Sequence, residues 1–322
     1  MSLKKVIDCI TKHKVFLITT HQNLEGDALG SQIAFYSLLR QIGKSAIMVN
    51  QDPTPQEYTW LSGSELIKLY RQNMKLKFDC LVMLDCSDKY RCGKVANLAI
   101  ASQPVVNIDH HISNDKFGNI NWVLPDASSA SEMVYRIYKM MQVKINARAA
   151  LALYVGILTD TGSFRYINTT SFTHQVVAEL LRFNLDVPKI YRNIYESMSF
   201  SDMTLLPKIL LSLQREASGK IIIFKIKQRL IKGRKSYSDL TENVLNFGRS
   251  IRGSQVCVLF KELPKRTGQI RVNLRSQGQV DVNRIAQFFG GGGHKTASGC
   301  TIQGNIEGVQ RRVIRKIKEQ LR

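Results

Sequence analysis

Short apolar runs and longer amphipathic segments alternate along the first half of the chain. Runs of strand length, rich in β-branched residues, lie at 15–20, 45–50, 80–84 and 105–108. The apolar spacing predicts helices at 27–42, 128–141 and 147–158. Strands that alternate with helices indicate a parallel sheet, so we expect an α/β domain here.

The pattern changes after about residue 186. Segment 187–214 has the apolar spacing of a helical connection. Further on, strands are predicted at 220–226, 255–260, 269–275 and from 300, and helices at 239–249 and 282–289. We therefore predict a parallel-sheet domain over 1–186, a helical linker over 187–215 and a smaller α/β domain over 216–322.

Charge suggests a ligand class without deciding it. The 322 residues include 46 Lys and Arg against 25 Asp and Glu, a formal charge of +21. This excess favours nucleic acid, nucleotides, polyphosphate or an anionic membrane as partner, but a solvated basic surface explains it equally well. For the basic segment 311–322, a solvated helix face is preferred over contact with an oligonucleotide.

Cysteine usage and hydropathy point to the cytoplasm. The six cysteines include no C-x-x-C pair and are too sparse for a disulfide framework. We expect free thiols in a reducing compartment. No apolar run has the length of a secretory signal or a membrane span, so no membrane partner is expected.

Three predicted strands end in residues of the types that commonly bind metals. His21 follows the first, Asp85 the third, and Asp109-His110-His111 the fourth. Ligands of parallel sheets bind beyond the carboxyl ends of the strands. Carboxylates and imidazoles would therefore converge at one edge, where they suit divalent cations.

Each motif alone has a structural alternative. Glu25 and Asp27 flank Gly26 in a strand-to-helix turn, yet Asp27 could simply cap the helix. Asp85 could be a turn residue, and Asp160, in a glycine-flanked turn, could be a helix-end aspartate.

A glycine run near the C-terminus suits phosphate. Gly290 to Gly293 precede His294 and Lys295, so backbone N–H groups and cationic side chains could meet an anion there. The alternative is a flexible linker, which we disfavour because an apolar strand follows almost at once.

In this order the motifs resemble the DHH phosphoesterase family with a DHHA1 C-terminal domain. Within it they resemble the branch of oligoribonucleases (nanoRNases) and 3'-phosphoadenosine 5'-phosphate (pAp) phosphatases. Phe117-Gly118, the stretch 121–135 and Leu274-Arg275-Ser276 add to the resemblance, which runs essentially end to end.

The resemblance implies two divalent cations, most naturally Mn²⁺, with Mg²⁺ or Co²⁺ as substitutes. The first would be bound by His21, Glu25 and Asp85, and the second by Asp27, Asp85, His110 and Asp160. His111 would contact the scissile phosphate and Asp109 would orient the histidines. A cleft between the domains would admit one terminal nucleotide, gripped by Arg275, Ser276, Gly291, Gly292, Gly293 and His294. Asp88, Arg91 and Arg165 lie near the motifs and are expected to support them.

One residue departs from the family pattern. Glu25 stands where Asp is usual. This change keeps the charge but adds a methylene, which would displace the first cation or weaken its binding. We read the change as tolerated.

The implied activity is hydrolysis of RNA of about two to five nucleotides to mononucleotides, together with removal of the 3'-phosphate of pAp. A cyclic-dinucleotide phosphodiesterase, acting on cyclic di-AMP or its linear product, is the alternative enzyme. A nucleic-acid-binding protein with a weakened site is the alternative from another class, and inorganic pyrophosphatase is disfavoured. Partners would be short single-stranded RNA or small nucleotides, with a homodimer left open.

Overall fold

The structure, a computed structural model, describes residues 3–231, 240–263 and 268–321. It divides into two compact units, Met1–Ser197 and Met198–Arg322. The domain limits predicted at 186 and 215 stay a prediction.

The first unit is built on a six-stranded parallel sheet. Its strands are β1 (Val15–Thr19), β2 (Ser45–Asn50), β3 (Lys68–Leu69), β4 (Cys80–Leu84), β5 (Val105–Asp109) and β6 (Ile120–Val123). They lie in the order β3-β2-β1-β4-β5-β6, with every neighbouring pair parallel. The chain passes from one side of β1 to the other between β3 and β4. The carboxyl ends of β1 and β4 therefore flank the switch point at which such sheets bind ligands.

Six helices accompany this sheet. They are α1 (Leu3–Lys12), α2 (Gly26–Gln41), α3 (Ala130–Met140), α4 (Ala147–Asp160), α5 (Ser171–Leu181) and α6 (Val187–Tyr195). Helices α2 and α4 are almost wholly buried, which explains why both are apolar around most of their circumference. Their backbones approach closely at Gly30, where an added Cβ would lie 2.4 Å from the Ala152 carbonyl oxygen.

The predicted α/β fold of this unit is confirmed, and two of its α-helices and two of its strands were not predicted. Helices α1 and α5 and strands β3 and β6 fall in segments for which the sequence pattern made no prediction. Helix α4 also runs two residues beyond the predicted end. Asp160 is consequently its last residue and does not lie in a turn.

The second unit has a mixed sheet. Its strands are β7 (Gln214–Glu216), β8 (Ile221–Ile226), β9 (Val256–Glu262), β10 (Gln269–Ser276), β11 (Gly292–Gly293) and β12 (Ala297–Gln303). The order is β11-β12-β10-β9-β8-β7, and only β8 and β9 are parallel among these pairs. Burial alternates along β10, as expected for a strand whose two faces differ in exposure.

Helices cover both faces of this second sheet. They are α7 (Phe200–Leu210), α8 (Gln228–Ile231), α9 (Thr241–Ser250), α10 (Val282–Phe288) and α11 (Ile306–Gln320). Helices α10 and α11 share one apolar core with the sheet, and α7 and α9 share another. The predicted α/β character is confirmed. The predicted start of α9, residue 239, lies outside the described residues. In the described part of the chain, no helix combines the length and apolar character needed to cross a membrane.

Candidate metal centre

Carboxylates and imidazoles meet at the carboxyl end of the first sheet. His21 follows β1, Asp85 follows β4, and Asp109 ends β5. The remaining members come from the start of α2, the loop after β5 and the end of α4, and they are Glu25, Asp27, His110, His111 and Asp160. All except Glu25 are buried or nearly so. The structure thus brings together every residue for which the sequence predicted a role in this centre.

His21, Glu25 and Asp85 form the first cluster. Nε2 of His21 lies 3.6 Å from Oε1 of Glu25 and 3.3 Å from Oδ2 of Asp85. Glu25 is 57% exposed and occupies the N-cap position of α2 without capping it. Its carboxylate therefore marks the solvent side of the cluster.

Asp27, His110 and Asp160 form the second cluster. Nε2 of His110 lies 3.8 Å from Oδ2 of Asp27 and 3.5 Å from Oδ2 of Asp160. Nδ1 of His110 lies 3.2 Å from the carbonyl oxygen of Ala127, which fixes the orientation of the ring.

Asp85 lies between the two clusters. While Oδ2 faces His21, Oδ1 lies 3.5 Å from Nε2 of His110 and 3.5 Å from Nδ1 of His111. Its backbone is left-handed, with φ of 55°, a conformation that Asp and Asn tolerate better than most residues. The turn after β4 therefore directs one carboxylate towards three imidazoles.

Helix α3 settles the alternative raised for Asp27. The Asp27 carboxylate does not cap α2, the helix that contains it. The oxygens accept hydrogen bonds from the N–H groups of Ala130 and Ser131, at 2.6 and 2.8 Å, in the first turn of α3. Positive N-terminal partial charge stabilises a carboxylate in this position. Gly156 leaves the room required, since a Cβ there would lie 1.9 Å from Ser131 Oγ.

A polar chain beneath the centre orients His111. Asp109 Oδ1 accepts from Nδ1 of His111 at 2.8 Å, and Asp109 Oδ2 accepts from Nδ2 of Asn114 at 2.6 Å. Asn114 also donates to Oδ1 of Asn107 at 2.8 Å. Neither asparagine was singled out from the sequence. The signal was present, because Asn107 interrupts an apolar strand and a buried amide requires partners.

Glu132 was also missed as a supporting residue. This buried carboxylate accepts hydrogen bonds from Oγ of Ser128 at 2.7 Å and from Oγ1 of Thr173 at 3.2 Å. It thereby fixes the loop whose Ala127 carbonyl meets His110.

Three residues were expected to support the motifs, and each makes different contacts; they are Asp88, Arg91 and Arg165. Asp88 accepts from the N–H groups of Tyr90 and Arg91 at the start of a 3₁₀ helix, Lys89–Leu98. Nε of Arg91 is buried without a hydrogen-bond partner among the described residues. Nε of Arg165 donates to the Gly162 carbonyl oxygen at 2.7 Å.

Burial and neighbouring carboxylates shift the pKa values of the residues in this centre. Burial, followed by the charge of Asp85, raises the pKa of Asp27 to about 6. Burial also raises the pKa of the Asp160 carboxyl well above its usual range. Burial alone would lower the pKa of His21, but the carboxylates of Asp85 and Glu25 outweigh it and raise that pKa to about 10. The centre therefore favours added positive charge.

The donor set fits divalent cations. Two donors about 2.1 Å from a shared ion lie roughly 3.0–3.4 Å apart, close to the 3.3–3.8 Å separations in both clusters. Nε2 of His21 and Oδ1 of Asp85 are buried and have no hydrogen-bond partner among the described residues. Such atoms are costly unless a ligand satisfies them, and mixed imidazole and carboxylate donors suit a divalent metal.

The predicted nucleotide-binding residues lie together in the second unit. Arg275 pairs with Ala297 of β12, and Gly293 of β11 pairs with Ser298. Gly292 and Gly293 are therefore strand-paired, which excludes the flexible-linker alternative. Gly291 is required sterically, since a Cβ there would lie 2.3 Å from a backbone oxygen, and Gly293 has φ of 142°.

The side chains around this strand pair have defined partners. The guanidinium of Arg275 forms an ion pair with Glu242 of α9. Ser276 is buried and donates its N–H to the Thr296 carbonyl oxygen at 2.8 Å. The carbonyl oxygen of His294 accepts from Ser298 Oγ at 2.7 Å. These contacts position His294 in the tight turn between β11 and β12.

Both units contain a segment that matches a known domain family. Residues 15–157 match the DHH family, N-terminal domain, and residues 219–322 match the DHHA1 domain. The chain is a two-domain DHH–DHHA1 protein. The family resemblance of its motifs is thereby confirmed.

Similar proteins span nearly the whole of this DHH–DHHA1 chain. The bifunctional oligoribonuclease and PAP phosphatase NrnA of Thermus thermophilus is 29% identical over 94% of this chain and 89% of its own. NrnA of Bacillus subtilis is 29% identical, covering 92% of each chain. The crystal structure of an exopolyphosphatase-related protein from Bacteroides fragilis superposes with a TM-score of 0.87, at 26% identity over 98% of this chain and 95% of that one.

Proposed function

We propose that this protein is a two-metal phosphoesterase that degrades short oligoribonucleotides, of about two to five residues, to mononucleotides and removes the 3'-phosphate of pAp. The observation that carries the proposal is the pair of carboxylate–imidazole clusters that meet at Asp85, beside His111. The two NrnA relatives, named as oligoribonuclease and PAP phosphatase, support the substrate class.

Each cluster would bind one divalent cation. His21, Glu25 and Asp85 would hold the first, and Asp27, His110 and Asp160 the second, with Asp85 shared. When bound, such ions lower the pKa of a coordinated water and neutralise phosphate oxygens. Mn²⁺ suits this mixture of imidazole and carboxylate donors, with Mg²⁺ or Co²⁺ as substitutes.

The protein side chains would position the phosphate and stabilise its charge. Since Asp109 accepts from Nδ1 of His111, the orientation of the imidazole is fixed. Nε2 would then be the ring nitrogen that contacts a phosphate oxygen. The buried guanidinium edge of Arg91 is a second candidate donor. In the DHHA1 domain, Arg275, Ser276, Gly291, Gly292, Gly293 and His294 would grip the nucleotide.

A substrate panel tests this function. Purified protein is incubated with Mn²⁺, Mg²⁺ or Co²⁺ and with pAp, 5'-labelled RNAs from two nucleotides upward, cyclic di-AMP and pyrophosphate. The proposal expects phosphate release from pAp and rapid loss of dinucleotides. Preferential opening of cyclic di-AMP would refute it in favour of a cyclic-dinucleotide phosphodiesterase. Binding of RNA without turnover of any substrate would refute the enzyme itself.

We further place the protein in the cytoplasm, where its six cysteines, all free and buried, would remain reduced. The sequence leaves a homodimer open, and light scattering on the purified chain tests for one.

A further inference from the structure

Three arginines on α11 line a shallow cavity that the proposed function does not use. Arg311, Arg312 and Arg315 line a space of about 530 Å³, which Gly304 and Gly308 also border. Positions 308, 311, 312 and 315 share one face of a helix, and the three side chains are exposed.

No carboxylate in the described part of the chain neutralises the charge of these arginines. None of the three forms an ion pair with a carboxylate among the described residues. Their neighbours differ, because Lys316 pairs with Glu319 at 2.7 Å and Lys318 with Glu216 at 2.8 Å. The nearby Glu307 is engaged by Lys227 at 3.0 Å. The cavity is thus strongly cationic.

Two aromatic rings extend this surface towards the glycine run. The guanidinium of Arg312 lies 5.7 Å from the ring centroid of Phe289, and Nζ of Lys316 lies 4.4 Å from that of Phe288. Phe288 is 65% exposed although it is large and apolar. Phe289 is half-buried and directly precedes Gly290, so the rings adjoin the glycine run in sequence and contact α11 in space.

Exposed aromatic rings beside unpaired cations are the features that proteins use to bind single-stranded nucleic acid. Bases stack on the rings while the cations contact successive phosphates. We propose that the surface formed by Phe288, Phe289, Arg311, Arg312 and Arg315 binds the phosphodiester backbone of single-stranded RNA beyond its terminal nucleotide. This inference rests on the proposed function and adds a length preference, because dinucleotides and pAp lack those further phosphates.

Equilibrium binding without metal tests the surface independently of catalysis. Fluorescence anisotropy in EDTA measures the Kd of a 5'-labelled RNA pentamer and dinucleotide for the wild type and for the R311Q/R312Q/R315Q variant. We expect about tenfold or greater weakening for the pentamer. The slope of log binding constant against log salt concentration should also become less steep by roughly 2, because three phosphate contacts are lost. Dinucleotide binding should change less than about twofold.

Two further variants separate local contacts from overall charge. Phe288→Ala should weaken pentamer binding about fivefold without altering the salt dependence, because it removes stacking alone. The control K208Q/R215Q/K220Q removes the same charge from exposed positions of the second unit and should leave pentamer binding unchanged. An equal loss in this control, an equal loss for the dinucleotide, or no loss for the pentamer would overturn the inference.

Kinetics distinguish this inference from the proposed function. The arginine variant should raise KM for the pentamer about tenfold and leave turnover of pAp unchanged. If the wild type hydrolyses neither pAp nor dinucleotides, the proposed function fails, whereas the anisotropy result still decides the binding surface.

Discussion

Replacing Asp85 by Asn removes the shared negative charge from the centre and keeps the shape of the side chain. Asp85 is 1% exposed and lies within 3.3–3.5 Å of three imidazole nitrogens. Asn is preferred to Ala because residue 85 has φ of 55°, which Ala tolerates at a cost of about 1–2 kcal/mol. The substitution therefore tests the charge with little backbone strain.

The effect on stability follows from linkage. A cation at one hundred times its Kd stabilises the folded state by about 2.7 kcal/mol. The first unit spans Met1–Ser197, a size at which 1 kcal/mol changes Tm by about 2–4 °C. Mn²⁺ should thus raise the wild-type Tm by roughly 5–11 °C, and Asp85→Asn should lose most of that increase.

Turnover and melting together provide the assay. Because a shared ligand contributes to both proposed cation sites, Asp85→Asn should reduce kcat on dinucleotides by at least about 10³-fold. Calorimetry with and without Mn²⁺ gives the Tm difference. Asp115→Asn, an exposed change of the same chemistry, should behave as wild type. A variant at 85 that keeps both the Mn²⁺-dependent Tm increase and turnover within about tenfold would refute the shared-ligand role.

Three other substitutions probe the surroundings of the centre. Glu25→Gln should weaken Mn²⁺ binding by about tenfold or more, whereas Glu25→Asp should keep it within tenfold in titration calorimetry; equal binding by both would remove Glu25 from the ligand set. Asn114→Ala should lower kcat about 10–100-fold with KM little changed, since it acts through Asp109. Gly156→Ala should lower stability by about 1–3 kcal/mol in urea unfolding, because its Cβ would overlap Ser131 Oγ.

Local sequence sufficed for the strands and for the chemistry at their ends. Strands β1 and β4 are continuous apolar runs, so their positions and the polar residues that follow them, His21 and Asp85, were visible without a structure. Parallel strands must also place those followers at one edge. The pattern failed for β3, which has two residues, and for β6, in which Asn121 breaks the run.

Tertiary structure decided which groups meet and what each carboxylate does. Asp27 and the first turn of α3 are about a hundred residues apart in sequence, and only the packing of α2 against α3 makes them partners. The link from Asn114 through Asp109 to His111 likewise depends on how a loop folds back under β5. Sequence periodicity predicts which face of a single helix or strand each side chain occupies. Their distances across elements depend on packing, which no local pattern encodes.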